Sequence, residues 1–178
     1  MKSYDYANRH GVEELSWETF ASLSRGLAEQ IADLRIDTVV GIARAGLLPA
    51  TAVACSLRCE MYPVRVTRRV DDEVTYDHPV WRVGVSPDVR GRRVAVIDEL
   101  ADSGETLALV AQEVSSLGAE KAVTVALVSH SWASPMPDVC GLVSDALVVF
   151  PWDRHVLLGG EWGMHPELKE ALRLQEDS

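Results

Sequence analysis

The first regular hydrophobic pattern in the chain is helical, and short continuous apolar runs follow it. Behind Ser16, a residue type that often caps helices, apolar residues recur every three or four positions from Trp17 to Leu34, which predicts an amphipathic helix. Residues 36–42 form a short β-branched run bounded by charge and glycine, as is typical of a buried parallel strand. Residues 47–57 predict a second helix, so this region indicates a strand, a turn and a helix in succession.

Further along the chain, strand-like runs continue to alternate with helical patterns. The strand predictions cover residues 60–66, 80–85, 94–97, 122–128 and 146–150, and the helix predictions cover 107–117 and 166–174. Residues 67–91 are rich in charge and turn formers, so we expect this stretch to leave the core as an excursion. Because strands that alternate with helices favour a parallel sheet with right-handed crossovers, we expect an α/β fold in one domain over residues 1–178.

Composition narrows the classes of function. Of 178 residues, 47% are hydrophobic and 25% are charged, which is enough apolar material for one core. The net charge of −10, from 27 acidic and 17 basic residues, argues against a broad nucleic-acid-binding surface. No apolar run approaches the ~18 residues that cross a bilayer, and residues 1–11 lack the apolar stretch of a secretory signal. We therefore expect a cytoplasmic protein with no membrane partner.

The three cysteines give no indication of a metal site. Cys55 and Cys59 fall within an apolar helical pattern, and Cys140 stands apart, so none belongs to a CxxC pair or a Cys/His cluster. Structural zinc sites need closer and more regular ligand spacing. We expect all three side chains to be buried, reduced thiols.

The most informative stretch is residues 94–106, with the sequence VAVIDELADSGET. A buried strand delivers Asp98 and Glu99 to its carboxyl end, where ligands bind in open α/β sheets. The turn that follows opens a helix, and Ser103, Gly104 and Thr106 provide the hydroxyls and the close backbone approach that suit a phosphate group. Two carboxylates beside a phosphate cradle suit a phosphorylated sugar, whose hydroxyls they accept. The alternative is an ordinary turn whose polar residues only cap a helix.

These residues closely resemble the phosphoribosyl pyrophosphate (PRPP) signature of type I phosphoribosyltransferases, in which a hydrophobic strand precedes two acids, a spaced acid, Ser or Thr, Gly, any residue and Thr. The resemblance implies the fold of that family, with a small flexible hood at about 67–91 over a mostly parallel sheet. It implies that Asp98 and Glu99 hold the ribose and contribute to catalysis. It also implies that Asp102 takes or relays a proton of the base. The PRPP-binding loop implied by the resemblance comprises Ala101, Asp102, Ser103, Gly104, Glu105 and Thr106.

A second stretch, residues 41–49, is similar to the pyrophosphate loop of the same family, in which a non-proline cis peptide is common. The resemblance implies that Arg44, Ala45 and Gly46 bind PRPP, although family members often have Gly where Ala45 stands. Arg68 follows the next strand and is a further candidate ligand of PRPP. A solvated basic pair at a strand end is the alternative for Arg68 and its neighbour. Residues 71–73 are expected to form a solvated acidic turn.

Residues 150–153, FPWD, are similar to the C-terminal part of the xanthine-guanine subgroup and its archaeal relatives, and the resemblance as a whole runs from about residue 15 to 155. It implies Mg²⁺ as the cofactor, held mainly by PRPP and water, with contributions from Asp98 and Asp153. It implies PRPP and a nitrogenous base as the partners, and no nucleic acid. Folds of this kind often pair, so a homo-oligomer is left open.

The resemblance is weakest where the base would bind. His130 stands where enzymes for 6-oxopurines carry a Lys, Leu147 stands at the position of a stacking aromatic residue, and Val148 is expected to supply backbone contacts. These departures argue against hypoxanthine or guanine and favour another purine or a purine-like heterocycle. A surface position is the alternative for His130. Three tryptophans form either a stacking surface or part of the core: Trp132, Trp152 and Trp162.

Two other classes of protein share parts of this pattern. One is a PRPP-sensing regulator of the same fold that binds RNA and has no transferase activity, but the acidic composition argues against it. The other is a metal-dependent hydrolase of sugar phosphates, which lacks support because no His-rich metal set accompanies the acidic pair. The sequence therefore favours a Mg²⁺-dependent phosphoribosyltransferase.

Overall fold

Regular secondary structure occupies most of the chain in the computed structural model, which describes residues 9, 11–70 and 73–176. The strands over these ranges are β1 Val12–Glu14, β2 Thr38–Ile42, β3 Glu60–Thr67, β4 Arg69–Val70, β5 Glu73–Val74, β6 Val80–Val83, β7 Arg93–Ala101, β8 Lys121–Ser129, β9 Val139–Val143, β10 Leu147–Val149, β11 His155–Leu158 and β12 Glu161–Met164. The α-helices are α1 Trp17–Ala32, α2 Leu47–Leu57, α3 Glu105–Ser116 and α4 Pro166–Glu176. None of these helices is long and apolar enough to cross a membrane.

The central sheet has six strands in the order β6-β3-β2-β7-β8-β9. The five strands β3, β2, β7, β8 and β9 run parallel to one another, and β6 is antiparallel to β3 at the edge of the sheet. The α/β architecture expected from the sequence, with a mostly parallel sheet flanked by helices, is therefore confirmed.

Successive side chains of the buried strands point to opposite faces of the sheet, so the core of this sheet consists of two clusters, one on each face. In β7, Ala95 and Ile97 face the helices α1 and α2, whereas Val94 and Val96 belong to the cluster packed on α3. All four side chains are fully buried, as expected for parallel strands covered by helices on both faces. This arrangement holds the carboxyl end of β7 rigidly between two layers.

The helix starts follow local chemistry. The Ser16 hydroxyl oxygen accepts a hydrogen bond from the Thr19 backbone N–H at 3.0 Å, which confirms the predicted cap of α1. The bounds of α2 are those of the predicted helix. Helix α3 instead begins after Gly104, whose φ of +84° lies in the left-handed region that glycine adopts readily. Gly104 itself offers no side chain to cap α3, so most of the first N–H groups of this helix are left for other partners.

Two predictions about the outer parts of the fold need correction. The strand expected at 146–150 lies outside the central sheet, because β10 pairs with β1 in a separate parallel ribbon. The sixth strand of the central sheet is β9, which the sequence analysis missed because none of its five residues is fully buried, Val143 is exposed and Gly141 interrupts the run. The cysteines are not all buried as expected: Cys55 is exposed because it is not on the buried face of α2, and Cys59 and Cys140 are only half-buried, the latter on the edge strand β9.

The segment 67–91 divides into an outer and an inner part. Strands β4 and β5 form a small antiparallel hairpin, and the acidic turn predicted at 71–73 lies largely outside the described residues. The segment then returns to the sheet as β6. Val89, in a short 3-10 helix at Pro87–Val89, is fully buried in the cluster on the α3 face. The predicted excursion therefore begins and ends at the central sheet.

Candidate active site

A cavity of about 710 Å³ opens at the carboxyl ends of β2, β3 and β7 and is closed on one side by β10. Parallel α/β sheets bind their ligands at this edge, and the volume is in the range of small-molecule sites. Fourteen residues singled out from the sequence line it: Arg44, Ala45, Arg68, Asp98, Glu99, Ala101, Asp102, Ser103, Gly104, Glu105, Thr106, Leu147, Val148 and Asp153.

The acidic pair lines the cavity near the carboxyl end of β7. Asp98 is buried, and its Oδ1 accepts a hydrogen bond from the Glu99 backbone N–H at 2.9 Å, while Glu99 is half-buried. Burial, and then the neighbouring charge of Glu99, raise the pKa of Asp98 well above its ordinary value. A carboxyl group in this environment gains from a ligand that brings hydroxyl donors or a cation.

The turn from Asp102 to Thr106 joins β7 to α3 and presents the start of that helix to the cavity. The Ser103 hydroxyl oxygen accepts a hydrogen bond from the Glu105 N–H at 3.3 Å. Gly104 leaves no room for a side chain, because a Cβ there would collide with the carbonyl oxygen of Pro135. The result is a tight loop with a helix N-terminus behind it, which suits a phosphate group.

The second loop, residues 43–46 at the end of β2, lies beside Asp98. The Ala43–Arg44 peptide bond is cis, and the Ala43 N–H donates to the Val64 carbonyl oxygen at 2.7 Å. The exposed Arg44 and its neighbour Ala45 line the cavity. Gly46 is not part of the wall: it packs behind the loop, where a Cβ would lie 2.5 Å from Asp98 Oδ1. The role of Gly46 in PRPP binding stays a prediction, and the sequence did not indicate its packing against Asp98.

Arg68 follows β3 and also lines the cavity. Its side chain is half-buried, and its carbonyl oxygen accepts hydrogen bonds from the Thr75 and Tyr76 N–H groups at 2.8 and 3.0 Å. These bonds close the base of the β4–β5 hairpin beside the cavity. The hairpin and Arg68 therefore belong to one local unit at the rim.

His130 differs in position from both expectations. It is 0% exposed and does not line the cavity, so it is neither a surface residue nor part of the wall that would contact a base. The imidazole ring stacks on Trp132 with a centroid distance of 4.3 Å, and Nδ1 lies 2.5 Å from the Ser144 carbonyl oxygen. His130 directly follows the last residue of β8, and the loop that begins there packs against Asp102 through Trp132. The imidazole therefore lies behind Asp102 and not in the cavity lining.

Asp102 is the wall residue in front of His130. Its Oδ1 accepts a hydrogen bond from Trp132 Nε1 at 3.2 Å and lies 4.0 Å from His130 Nε2. Its Oδ2 lies 3.7 Å from a guanidinium nitrogen of Arg9, whose side chain is buried and lines the cavity. Sequence reasoning missed Arg9 because a single basic residue ahead of the first regular pattern carries no periodic or motif signal.

One wall of the cavity is largely apolar. Leu147 and Val148 come from β10, and Phe150 and Trp152, whose rings stack at 4.9 Å with an interplanar angle of 9°, also line the cavity. Trp152 reaches the cavity, whereas Trp162 is 74% exposed on the β11–β12 hairpin and does not line it. An aromatic and aliphatic wall of this kind suits the flat face of a heterocycle.

Comparison with known proteins identifies the family of this chain. The sequence model of the phosphoribosyl transferase domain family matches residues 13–156. Adenine phosphoribosyltransferases of Alkaliphilus metalliredigens (strain QYMF) and Alkaliphilus oremlandii (strain OhILAs) are 30% and 33% identical over 110 and 104 residues. These alignments cover 58% and 53% of this chain, and 65% and 59% of the two relatives. The chain thus spans less than two thirds of the length of these curated relatives.

Solved structures with a similar fold include two phosphoribosyltransferases. A purine phosphoribosyltransferase from Pyrococcus horikoshii Ot3 superposes with a TM-score of 0.72 at 27% identity, covering 84% of this chain and 99% of that one. A Helicobacter pylori xanthine-guanine-hypoxanthine phosphoribosyltransferase gives 0.67 at 17%, covering 91% and 99%. A Neisseria gonorrhoeae hypothetical protein with bound ppGpp gives 0.69 at 21%, covering 94% and 97%. The last two likenesses show the fold alone.

Proposed function

We propose that this chain, which belongs to the phosphoribosyl transferase domain family, transfers ribose 5-phosphate from PRPP to a ring nitrogen of a purine or purine-like base and releases pyrophosphate. The observation that carries the proposal is the set of polar groups that line one cavity. Asp98 and Glu99 line it together with the turn 102–106 and Arg44. Carboxylates for sugar hydroxyls, a helix N-terminus for a phosphate and a guanidinium for a second phosphate match the three parts of PRPP.

Binding of PRPP begins with charge and hydrogen-bond matching. Glu99 and Asp98 accept the ribose hydroxyls, and the N–H groups at the start of α3, with Ser103 and Thr106, hold the 5-phosphate. Arg44 and Arg68 bind the pyrophosphate and stabilise the negative charge that grows on it as the bond to the anomeric carbon breaks. The sugar is thereby fixed while both leaving group and base lie within the cavity.

The base binds against the apolar wall of Leu147 and Val148, with Trp152 nearby. As the new bond forms at the anomeric carbon, a base that carries a proton on its attacking nitrogen must lose it. Asp102 lines the same cavity as the acidic pair and this wall, and its carboxylate is the group that takes the proton. Purines are the proposed class because the named activities of the relatives above are adenine and purine phosphoribosyl transfer.

Mg²⁺ is the cofactor that fits the donor set. Asp98, Glu99 and Asp153 bring carboxylate oxygens to the cavity, which are the ligands that this ion prefers. Within the described ranges, no group of three or more His, Cys, Asp or Glu side chains is placed to hold a metal by itself. Asp98 and Asp153 would therefore contribute to an ion whose other ligands are PRPP and water. When bound, Mg²⁺ supplies charge neutralisation of the pyrophosphate.

The direct test is a screen for PRPP-dependent release of pyrophosphate with adenine, hypoxanthine, guanine, xanthine and deazapurines, each with Mg²⁺. We expect release with at least one base, and a loss in the Asp98→Asn/Glu99→Gln double variant. A gel-shift assay with RNA at moderate salt runs beside it. RNA binding without release by the wild-type protein would contradict the proposal and favour a regulator.

A further inference from the structure

His130 carries a buried nitrogen without a hydrogen-bond partner. Nδ1 lies 2.5 Å from the carbonyl oxygen of Ser144, and a carbonyl oxygen only accepts, so Nδ1 bears the proton of the neutral ring. The lone pair of the neutral ring is therefore on Nε2, and this atom has no hydrogen-bond partner although it is fully enclosed. Buried polar atoms of this kind are uncommon in native proteins and call for an explanation.

The lone pair on Nε2 faces Asp102. Nε2 lies 4.0 Å from Asp102 Oδ1, the same oxygen that accepts the Trp132 N–H. Trp132 contacts both partners, because its ring also stacks on the imidazole. Both atoms are acceptors, so the gap between them is the place where one additional proton would be shared.

We infer that His130 acts through Asp102 as the final acceptor of the proton that the base loses in the transfer reaction. This inference rests on the proposed function. The bond from the anomeric carbon to pyrophosphate breaks, the bond to the base nitrogen forms, and the proton of that nitrogen passes to Asp102. A small closure of the 4.0 Å gap then brings Nε2 within hydrogen-bond distance, and the proton moves to the imidazole.

The resulting pair is fully hydrogen-bonded. The imidazolium donates from Nδ1 to the Ser144 carbonyl oxygen and from Nε2 to Asp102 Oδ1, which is again an anion. After the nucleotide leaves, the proton returns through Asp102 to the water that enters the cavity. His130 Nε2, which has no hydrogen-bond partner in the resting state, thus gains both a proton and a partner during the reaction.

The charges around the ring set its resting state. The groups that face it are Arg9, Asp102 and Asp145, and Asp145 also accepts hydrogen bonds from the Ser131 N–H and hydroxyl at 2.8 and 2.7 Å. Burial lowers the pKa of His130 below its ordinary value. Arg9 lowers it further, whereas the Ser144 carbonyl and both carboxylates raise it. At neutral pH the ring therefore rests uncharged and able to accept.

Two substitutions separate proton acceptance from simple positioning. His130→Gln places an amide near the position of Nε2, where it can donate to Asp102 but cannot take up a proton. His130→Asn places an amide near Nδ1, where it keeps the donor to Ser144 and removes the Nε2 contact. His155→Asn is the matched control, because His155 is exposed and does not line the cavity.

With a base accepted by the wild-type protein, we expect kcat to fall by about 10- to 100-fold in both variants. The Kd of PRPP should stay within about twofold, and the control should match wild type. The acid limb of kcat/KM for the base, which reports the neutral imidazole, should disappear in both variants. Wild-type kcat in either variant, or recovery by His130→Gln alone, would overturn proton acceptance by His130.

A second measurement needs no turnover. ¹⁵N NMR of the histidine rings without substrate should show His130 as the Nδ1–H tautomer with a pKa below 6.5, and Asp102→Asn should lower that pKa further. The opposite tautomer, or a pKa that Asp102→Asn leaves unchanged, would overturn the pairing. Absence of transfer by the wild-type protein with every base would instead overturn the proposed function, and the proton-acceptor role with it.

Discussion

The carboxylate of Asp98 lies against the backbone of Gly46, so closely that a Cβ on Gly46 would lie 2.5 Å from Oδ1. The same Cβ would lie 2.5 Å from the carbonyl oxygen of Ile42 and 3.0 Å from the Cα of Asp98. Two of these three atoms are backbone, so the contact cannot be relieved by turning one side chain. The loop at the end of β2 and the acidic end of β7 are therefore packed as one rigid unit.

Gly46→Ala should lower the affinity for PRPP by 10-fold or more while leaving the protein folded. The added methyl group pushes Asp98 away from the ribose site, and overpacking of this kind costs about 1–3 kcal/mol. Isothermal titration with PRPP and Mg²⁺ measures the change. Gly84→Ala is the control, since nothing lies within 4 Å of a Cβ at Gly84. Equal affinity of Gly46→Ala and Gly84→Ala would contradict the rigid packing.

Asp98→Asn should stabilise the unliganded protein and weaken PRPP binding by about 10- to 150-fold, because a charge-assisted hydrogen bond contributes about 1.5–3 kcal/mol. Burial raises the pKa of Asp98 above 3.8 in the folded state, so folded protein binds more protons than unfolded protein at intermediate pH. The stability of the wild type then falls as pH rises through that window, and the Asn variant escapes the loss.

Thermal unfolding without ligand at pH 4, 6 and 8 measures this effect. The gain in Tm of Asp98→Asn over wild type should grow with pH. Asp33→Asn makes the same substitution at an exposed position outside the cavity and is the control. A destabilised Asp98→Asn variant at pH 8 would mean that the buried carboxylate is compensated by partners other than a ligand.

PRPP with Mg²⁺ should raise the unfolding free energy by about 2.7 kcal/mol at 100 times Kd, since a ligand that binds only the folded state stabilises it by mass action. A chelator should remove the part of this shift that depends on the metal. Arg44→Gln should shrink the shift at a fixed PRPP concentration, because the pyrophosphate loses its guanidinium partner. Arg25→Gln makes the same charge change on the exposed side of α1 and should leave the shift intact.

Arg9→Gln should lower kcat for the base and move the acid limb of the rate profile to higher pH. Arg9 lowers the pKa of His130, so its removal lets the imidazole protonate at a higher pH and lose its capacity to accept. Steady-state kinetics between pH 5 and 8 measure the shift. Arg154→Gln removes an exposed ion pair with Glu14 at 2.7 Å, and such pairs contribute only about 0–1 kcal/mol. A similar shift in both variants would point to long-range charge rather than contact.

The parts of the site that the sequence predicted are those encoded in one continuous segment. The strand, acidic pair, turn and helix start of residues 94–106 are adjacent in the chain, so their pattern alone placed Asp98, Glu99 and the turn correctly on one wall. The same holds for α2, whose apolar pattern gave both of its ends. Local order is visible in a sequence because neighbouring residues share one element.

The features that the sequence did not reveal depend on contacts between distant segments. Arg9 meets Asp102 only because the amino-terminal strand runs beside β10, and no local pattern marks that pairing. The depth of His130 likewise depends on Trp132 and on the Ser144 carbonyl, which arrive from two different turns. The residue type at position 130 indicated a group that can exchange protons. Only the packing decides whether that group contacts the substrate or, as here, Asp102.

The parallel pairing of β1 with β10, joined further by the hydrogen bond from Leu147 N–H to the Gly11 carbonyl oxygen, has a practical consequence for work with this protein. The first strand carries the segment with Arg9 to the cavity and also braces the wall that contains Leu147. An affinity tag or a truncation near residue 11 would therefore change the electrostatics and the shape of the cavity. Fusion partners are better attached after α4, which packs on β10 through Leu168, Ala171 and Leu172 and lines the cavity, among its described residues, with Leu168 alone.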